Sequence, residues 1–597
     1  MSSEARVRRR SSQALLPLRH PGRGATYDLY PSFPLAEGRV DEGWEALAAA
    51  ADGTAVLLVD GGSGVDWQGA TTQIEAALQT RGRRPVVRRT AAAFLPEADV
   101  EGRIGGALGG DDPVFGRRFG GALAELLDMA ALQRLADAAS HDLVVLVGPG
   151  AALADARAAL VYLEVPRNEQ QFRARAQALT HVGASAPARD AKLAYKRLYF
   201  VEWPMLEAHK AAIWPRIHRF VDAQRDVPLS VPGTVLRASL GRMARSPFRA
   251  RPWFEPGAWG GQWLGRHVPD LPQDVPNYAW SFELISPENG LLFEDTDGRL
   301  LETGFDSLMI HAAQDVLGFG AARFGRSFPI RFDYLDTVEG GNLSIQCHPR
   351  PDYMREHFGE AYTQDETYYM LAAEDEAKVY LGFQEGVTLE AWEAALRESA
   401  RDGTPIDVER FVQTFPARTG DLFLIPSGTV HASGRGGVVL EISATPYIFT
   451  FKLYDWLRLD LDGQPRPLNI DRGMANLVAE RAGARVVDEL ISRSRAVGEG
   501  EGWRREHLPT HPEHFYDVHR YHVDIEAEIA TEGSPHVLTL VAGSSASVEA
   551  NGAPTQRLRF AETFVVPAAA GSYRLVAADG ALTVIVASLK EPSAWRT

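Results

Sequence analysis

Apolar and polar positions alternate differently along three stretches of the chain. Between residues 40 and 230, short apolar runs are followed by amphipathic segments. Residues 55–59 are apolar throughout and end in Asp60-Gly61-Gly62-Ser63-Gly64, after which 67–79 repeats its apolar positions at helical spacing. Leu143-Val144-Val145-Leu146-Val147 closes on Gly148-Pro149-Gly150, and the run 159–165 leads into the polar, helix-prone stretch 168–179. Uninterrupted apolar runs suit strands covered on both faces, and their alternation with helices predicts a parallel sheet.

Pro, Arg and aromatic residues then concentrate between 246 and 259, which sets a boundary near Ser246. From 280 to 285, and again from Phe328 onward, short strand-like runs are separated by turn residues, the pattern of a double-sheet jelly roll. Residues 388–402 read as a helix interrupting it, and 473–500 as helical. From 517 to 589 strands return: Val537-Leu538-Thr539-Leu540-Val541 is one, and Ala546, Val548 and Ala550 alternate with Ser547 and Glu549. The expected organisation is multidomain. A flexible arm (1–40) precedes an N-terminal α/β parallel-sheet domain (41–245). A β jelly roll with a helical insertion (246–480) follows, then a helical linker and a second, smaller β-barrel (481–597), read as a packing or dimerisation module.

The composition of the 597 residues, 45% hydrophobic and 23% charged, is that of a soluble globular protein. A formal net charge of −16 argues against nucleic acid or an anionic membrane as the main partner. A phosphorylated substrate would still require a local cationic pocket. Cys347 is the only cysteine, which excludes an intrachain disulfide and fits a reducing cytoplasm. No run approaches the roughly 18 apolar residues of a membrane helix. The apolar run 14–18 behind the basic start is too short for a secretory signal. A cytoplasmic protein is expected.

Candidate chemistry centres on Leu343-Ser344-Ile345-Gln346-Cys347-His348-Pro349. Alternate side chains of a strand share a face, so Ser344, Gln346 and His348 lie together, and Leu343, Ile345 and Cys347 take the apolar side. Glu366 adds a carboxylate, and Pro426-Ser427-Gly428-Thr429-Val430-His431 a second imidazole. Two His, one Glu and one Gln form a donor set for Zn²⁺ or a similar divalent ion, with room for water or substrate. Cys347 reads as a small buried core residue. His511, His514, His519 and His522 cluster as well, but their spacing matches no simple site, and a solvated or capping role is expected.

The order of L-S-I-Q-x-H-P at 343–349, Glu366 before Tyr368-Tyr369, Y-L-G-F at 380–383, G-D-x3-I-P-x-G-T-x-H at 420–431 and L-E-I at 440–442 resembles class I mannose-6-phosphate isomerase. The resemblance runs roughly over residues 252–472. It implies a cupin-type jelly roll and one Zn²⁺ per chain held by Gln346, His348, Glu366 and His431, with Ser344 near the sugar phosphate. It also implies interconversion of mannose 6-phosphate and fructose 6-phosphate through an enediol. Such a reaction needs a base, a stabiliser of oxygen charge and an anchor for phosphate.

Glu441 stands where the family has an acidic residue facing the pocket, and burial beside Val438-Val439-Leu440 would raise its pKa. It reads equally as an ion-paired structural residue. Lys452 replaces the family's catalytic Arg, a compact charge in place of a planar fork. Asp333 replaces a Lys, with Arg331 two residues earlier on the same face. Ser443-Ala444-Thr445-Pro446-Tyr447 replaces a polar cluster, and Arg350 stands where an Asp is frequent. Phosphate anchoring therefore falls to Ser344, Arg331, Lys452 or Arg472. Two alternatives stay open: a metal-containing sugar-phosphate sensor without turnover, and an isomerase of a different or unphosphorylated sugar.

In the N-terminal domain, Gly61-Gly62-Ser63-Gly64 stands where a P-loop would. Val161-Tyr162-Leu163-Glu164-Val165-Pro166-Arg167-Asn168-Glu169 resembles a strand common in small P-loop nucleoside kinases. A working loop, GxxxxGK[ST], needs Lys for the terminal phosphates and a hydroxyl for Mg²⁺. Counted from Gly61, the Gly-Lys-Ser/Thr positions hold Asp66-Trp67-Gln68. A degenerate, non-phosphorylating kinase-like domain is expected. A nucleotide or sugar ligand there, and a homodimer, are left open.

Overall fold

The computed structural model describes residues 8–595, apart from 23, 25 and 551. The backbone divides into two compact units. Ser32–Arg242 and Gly290–His311 make up most of the first, and Met243–Asn289 with Ala312–Thr597 most of the second. The division near Arg242 lies close to the boundary expected at Ser246, but the chain returns to the first unit at Gly290. That return is a hairpin of Gly290–Glu294 with Leu300–Gly304, whose first strand pairs in parallel with Ser32–Pro34.

In the first unit, strands β1 (Val56–Gly61), β2 (Pro85–Arg89), β3 (Leu143–Val147), β4 (Ala159–Glu164) and β5 (Arg219–Asp222) form a sheet in the order β2-β3-β1-β4-β5. All these neighbours are parallel. Every residue of β3 is buried, as an uninterrupted apolar run requires of a strand covered on both faces. Helix α1 (Trp67–Thr80) follows β1 and turns Ala70, Ile74, Ala77 and Leu78 inward, against Leu57, Val59 and Val145. Within the arm expected to be flexible, the described residues Leu16, Phe33 and Val40 are buried. Its apolar residues stand singly among Pro and Gly, so no period announces them.

The second unit contains two antiparallel sandwiches. Strands β6 (Ile330–Asp336), β7 (Ile345–Cys347), β8 (Glu366–Ala373), β9 (Lys378–Phe383), β10 (Leu422–Ile425), β11 (His431–Ser433), β12 (Gly437–Ala444) and β13 (Phe451–Tyr454) build the first. One sheet runs β10-β8-β12-β6 and continues through Trp280–Leu284 and Trp253–Glu255. The other runs from Val412–Pro416 through β9-β11-β7-β13. Helix α2 (Leu389–Asp402) leaves after β9. Thr388 caps it, accepting from the Ala391 amide at 3.2 Å, and Gly403 ends it at φ 71°. Within this sandwich Trp253 stacks on Phe282 with centroids 4.1 Å apart.

The stretch 473–500, expected to be helical, holds only short helices, α3 (Ile470–Met474) and Ala484–Glu489, and ends in the strand Arg495–Gly500. The second sandwich includes β14 (Trp503–Leu508), β15 (Tyr516–Val523), β16 (His536–Ala542) and β17 (Leu582–Leu589), in a six-stranded sheet facing a four-stranded one. No helix among the described residues is long and apolar enough to cross a membrane.

Candidate metal centre

Cross-strand register assembles the site. Gln346 on β7 pairs with His431 on β11 and, on its other side, with Lys452 on β13. Directly paired residues project to the same face, so three functional side chains form one row. Glu366 opens β8 in the facing sheet, where it pairs with Ser443. His348 stands just beyond β7, two residues from Gln346 and so on the same face. Among the described residues, His348, Glu366 and His431 alone form a group of three metal-capable side chains with all ligand atoms within 4.8 Å of one another.

Their hydrogen bonds fix what they present. His348 Nε2 lies 2.8 Å from Glu366 Oε2, and His431 Nε2 lies 3.1 Å from the same oxygen. On the other side of each ring, His348 Nδ1 sits 3.1 Å from the Phe449 carbonyl and His431 Nδ1 2.9 Å from that of Thr429. A carbonyl only accepts, so each Nδ1 carries the proton and each Nε2 offers a lone pair. Two lone pairs aimed at one carboxylate oxygen repel unless a proton or metal ion lies among them. All three residues are buried, where such repulsion is poorly screened. Two imidazole nitrogens and a carboxylate suit a divalent ion such as Zn²⁺. Burial would raise the Glu366 carboxyl, but when the flanking rings are protonated their positive charge holds it well below the usual range.

Gln346 is adjacent. Its Nε2 lies 3.3 Å from His431 Nε2, and its Oε1 accepts from the Ser344 hydroxyl at 3.3 Å. Ligation through the amide oxygen needs that group turned about its last torsion. Arg331 and Asp333 on β6 and Glu441 and Ser443 on β12 continue the Glu366 face. Arg331 Nη2 donates to Asp333 at 2.8 Å and lies 3.0 Å from Glu441, which also accepts from the Ser443 hydroxyl at 2.8 Å. Burial raises Asp333 to about 6 and Glu441 well above the carboxylate range. Arg331 offsets part of this in both. Arg331 is thus committed to two carboxylates and is not a free cation for phosphate.

Lys452 is half-buried, and its ammonium makes no hydrogen bond among the described residues. Burial and then Arg466 lower its pKa to about 8, against Asp455 and Asp460. Arg466 forks onto Asp455 with two bonds of 2.6 Å, and Arg458 Nη2 reaches the same carboxylate at 2.7 Å. Two guanidiniums thus share Asp455 beside Lys452, with Asp460 as a second carboxylate acting on the same group. Sequence reasoning missed both arginines. Between them and Lys452, Trp456 and Leu457 take left-handed φ of 58° and 56°. Such strain costs roughly 1–2 kcal/mol per residue and clusters at functional sites.

Other nominated residues lie elsewhere. Arg472 on α3 donates to the Tyr353 hydroxyl at 2.9 Å and stands over the Phe358 ring at 5.3 Å. The same helix meets Cys347, whose Sγ is 3.8 Å from the Gly473 carbonyl. Arg472 therefore belongs with the face of β7 opposite Gln346, which does not bring it to the ligands. Cys347 is fully buried, and burial pushes its thiol pKa up. His514, expected to be solvated or capping, is buried and stacks on Tyr516 with centroids 5.3 Å apart.

In the first unit, the loop after β1 is satisfied from within. Asp60 accepts from the amides of Gly61, Gly150 and Ala152 at 2.7, 3.0 and 2.8 Å. The Ser63 hydroxyl donates to Glu202, and Asp66 caps α1 by accepting from Gly69 at 2.9 Å. Amides that could meet an anion at a helix N-terminus are served by the chain's own carboxylates.

Residues 43–245 match a family described as "Domain of unknown function (DUF8485)". The chain is 31% identical over 150 residues to "Probable mannose-6-phosphate isomerase GmuF" of Bacillus subtilis, spanning 25% of this chain and 44% of that protein. It is 29% identical over 217 residues to the mannose-6-phosphate isomerase of Streptococcus mutans, spanning 36% of this chain and 63% of that protein. It thus spans less than two thirds of the length of either relative. Among solved structures it is similar to the mannose 6-phosphate isomerase from Bacillus subtilis, with TM-score 0.44 and 20% identity over 57% of this chain and 99% of that one. The curated relatives and the motif order point to the same family of sugar isomerases.

Proposed function

We propose that the chain is a metal-dependent aldose–ketose isomerase that interconverts mannose 6-phosphate and fructose 6-phosphate, with one Zn²⁺ held by Gln346, His348, Glu366 and His431. The observation that carries this reading is the pair of carbonyl-fixed imidazoles aimed at one buried carboxylate oxygen, in register with Lys452. When bound, the ion supplies Lewis-acid polarisation of the substrate oxygens. The chain supplies the rest. Arg458 and Arg466 set the positive field for the phosphate, and Ser344 adds a hydroxyl donor. Lys452, as neutral amine, takes the proton from C2 of the aldose while the electron pair forms the enediol double bond. Returning that proton to C1, while the C1 oxygen keeps a proton gained from Glu441 and the C2 hydroxyl gives its own to Glu441, leaves the carbonyl at C2. Glu441, raised well above the carboxylate range, is suited to lend a proton to a substrate oxygen.

The Arg331–Glu441 ion pair at 3.0 Å favours a second reading, sugar-phosphate binding without turnover, because it ties up the carboxyl. A coupled assay on the Zn²⁺-reconstituted chain, across aldose phosphates and free sugars, separates the two. The expected outcome is turnover of mannose 6-phosphate. Full metal content without turnover would establish the sensor, and turnover of free sugars alone would reassign the substrate. His431→Ala is expected to lose most bound metal by elemental analysis, together with activity. A metal-replete variant would remove His431 from the ligand set.

A further inference from the structure

The second sandwich holds a cavity of about 630 Å³ at one end of its six-stranded sheet. Register defines its floor. His507 on β14, His519 on β15 and Val586 on β17 form one cross-strand row, and Asp517, Ser588 and His536 form the next. Farther along the same face, Tyr521, Leu540 and Val584 belong to the apolar core. The interior is therefore filled at one end and polar at the other. Phe319 lines the cavity and packs on Trp595, with centroids 5.9 Å apart.

Several polar groups are held in fixed roles. His507 Nδ1 accepts from Arg495 at 3.0 Å, so its Nε2 donates to Asp517 at 2.7 Å and fixes that carboxylate. His519 stacks on His507 with centroids 4.9 Å apart. Neither its ring nor the Ser588 hydroxyl has a hydrogen-bonding partner among the described residues, and both line the cavity. Burial lowers the His519 pKa to about 4; Asp517 opposes this, and His507 and Arg505 add to it. At neutral pH the ring offers one donor and one acceptor. Glu532 and Glu591 join Asp517 at the cavity against the single ammonium of Lys590, which donates to the His511 carbonyl at 2.9 Å. This field disfavours an anion. These side chains also fall outside the one metal-capable group among the described residues.

We infer that this cavity binds a neutral polyhydroxylated ligand with the size and chemistry of a free hexose. Adjacent hydroxyls donate to Asp517 and exchange hydrogen bonds with His519 and Ser588, while a C–H face of the ring lies against Phe319. Partly apolar clefts of a few hundred cubic ångströms with few convergent polar groups are the usual form of such sites. The site is separate from the metal centre and does not depend on the isomerase reading.

Titration calorimetry on the full chain as purified tests it, with D-mannose, D-glucose, D-fructose and D-mannitol as probes. One saturable site is expected for at least one probe. His519→Leu and Ser588→Tyr should each weaken it by about tenfold or more, with His431→Ala leaving it unchanged. D-glucuronate, carrying an added carboxylate, should bind about tenfold more weakly than D-glucose. If one variant fails to fold, the other decides. A probe-induced shift of the His519 ring resonances reads the same contact in the unsubstituted chain. The proposal is overturned by no saturable binding, by binding that survives both cavity variants, by its loss in His431→Ala, or by glucuronate binding as well as glucose.

Discussion

Two ring nitrogens decide the chemistry of the first sandwich. Because His348 and His431 each give Nδ1–H to a backbone carbonyl, their Nε2 atoms face Glu366 as bases. Lys452 is the other poised group. Its folded pKa of about 8 lies below that of an ordinary lysine, and the neutral amine is the form that removes a proton. The neutral fraction grows with pH, so kcat/KM of the metal-loaded chain is expected to rise as pH increases through about 8. Lys452→Arg, always protonated, should lack that step, and Lys452→Met should lose about 10²–10⁴-fold in kcat. A flat profile in the unsubstituted chain would take Lys452 out of proton transfer. That Ser344, Gln346 and His348 share a face was legible because side chains alternate along a strand. Arg458 and Arg466 were not, because their convergence on Asp455 arises only when the chain folds.

The loop from Pro426 to His431 shows how an element places a ligand. Gly428 has φ +83°, and a Cβ there would meet the Asn476 carbonyl at 2.6 Å. Its amide donates to the His348 carbonyl at 2.8 Å, so this turn joins the two proposed metal ligands. Gly428→Ala is expected to cost about 1–2 kcal/mol from the left-handed backbone alone. It should also weaken Zn²⁺ binding about tenfold, as disturbed supporting shells do, measured by competition with a chromophoric chelator. Unchanged affinity would show that the turn does not position His348 and His431. Elements with one clear period were legible, such as β3 and the Thr388-capped helix α2. The arm around Leu16 and Phe33 was not, since isolated apolar residues acquire meaning only from what they pack against. The stretch 473–500 misled because helix-prone residues were divided by glycines such as Gly483, which takes φ +58°.

At the scale of the molecule, the two sandwiches of the second unit are joined at the metal strands. The Tyr516 hydroxyl donates to the Ile442 carbonyl at 2.7 Å, next to Glu441. Tyr516→Phe is expected to cost about 1 kcal/mol, read as a lower midpoint in denaturant; an unchanged midpoint would make the bond dispensable. In the first unit, Asp60 and Asp66 accept from the amides of Gly61 and Gly69, at the two ends of the loop where a P-loop would stand. ATP with mannose should therefore yield no mannose 6-phosphate by enzymatic assay, and clear product would overturn the non-phosphorylating assignment. Strands β1, β3 and β4 of the parallel sheet were legible from apolar runs, whereas β2, β5 and the return of Gly290–His311 were not, the last being set by a pairing distant in sequence.

The burial of the lone thiol, Cys347, has a practical corollary. The natural chain should be silent to maleimide reagents, so no residue need be removed before a fluorophore is attached. A single Leu459→Cys, at a side chain 57% exposed in the segment beyond Lys452, would then carry the dye alone and report on the proposed sugar-phosphate binding as a change in emission.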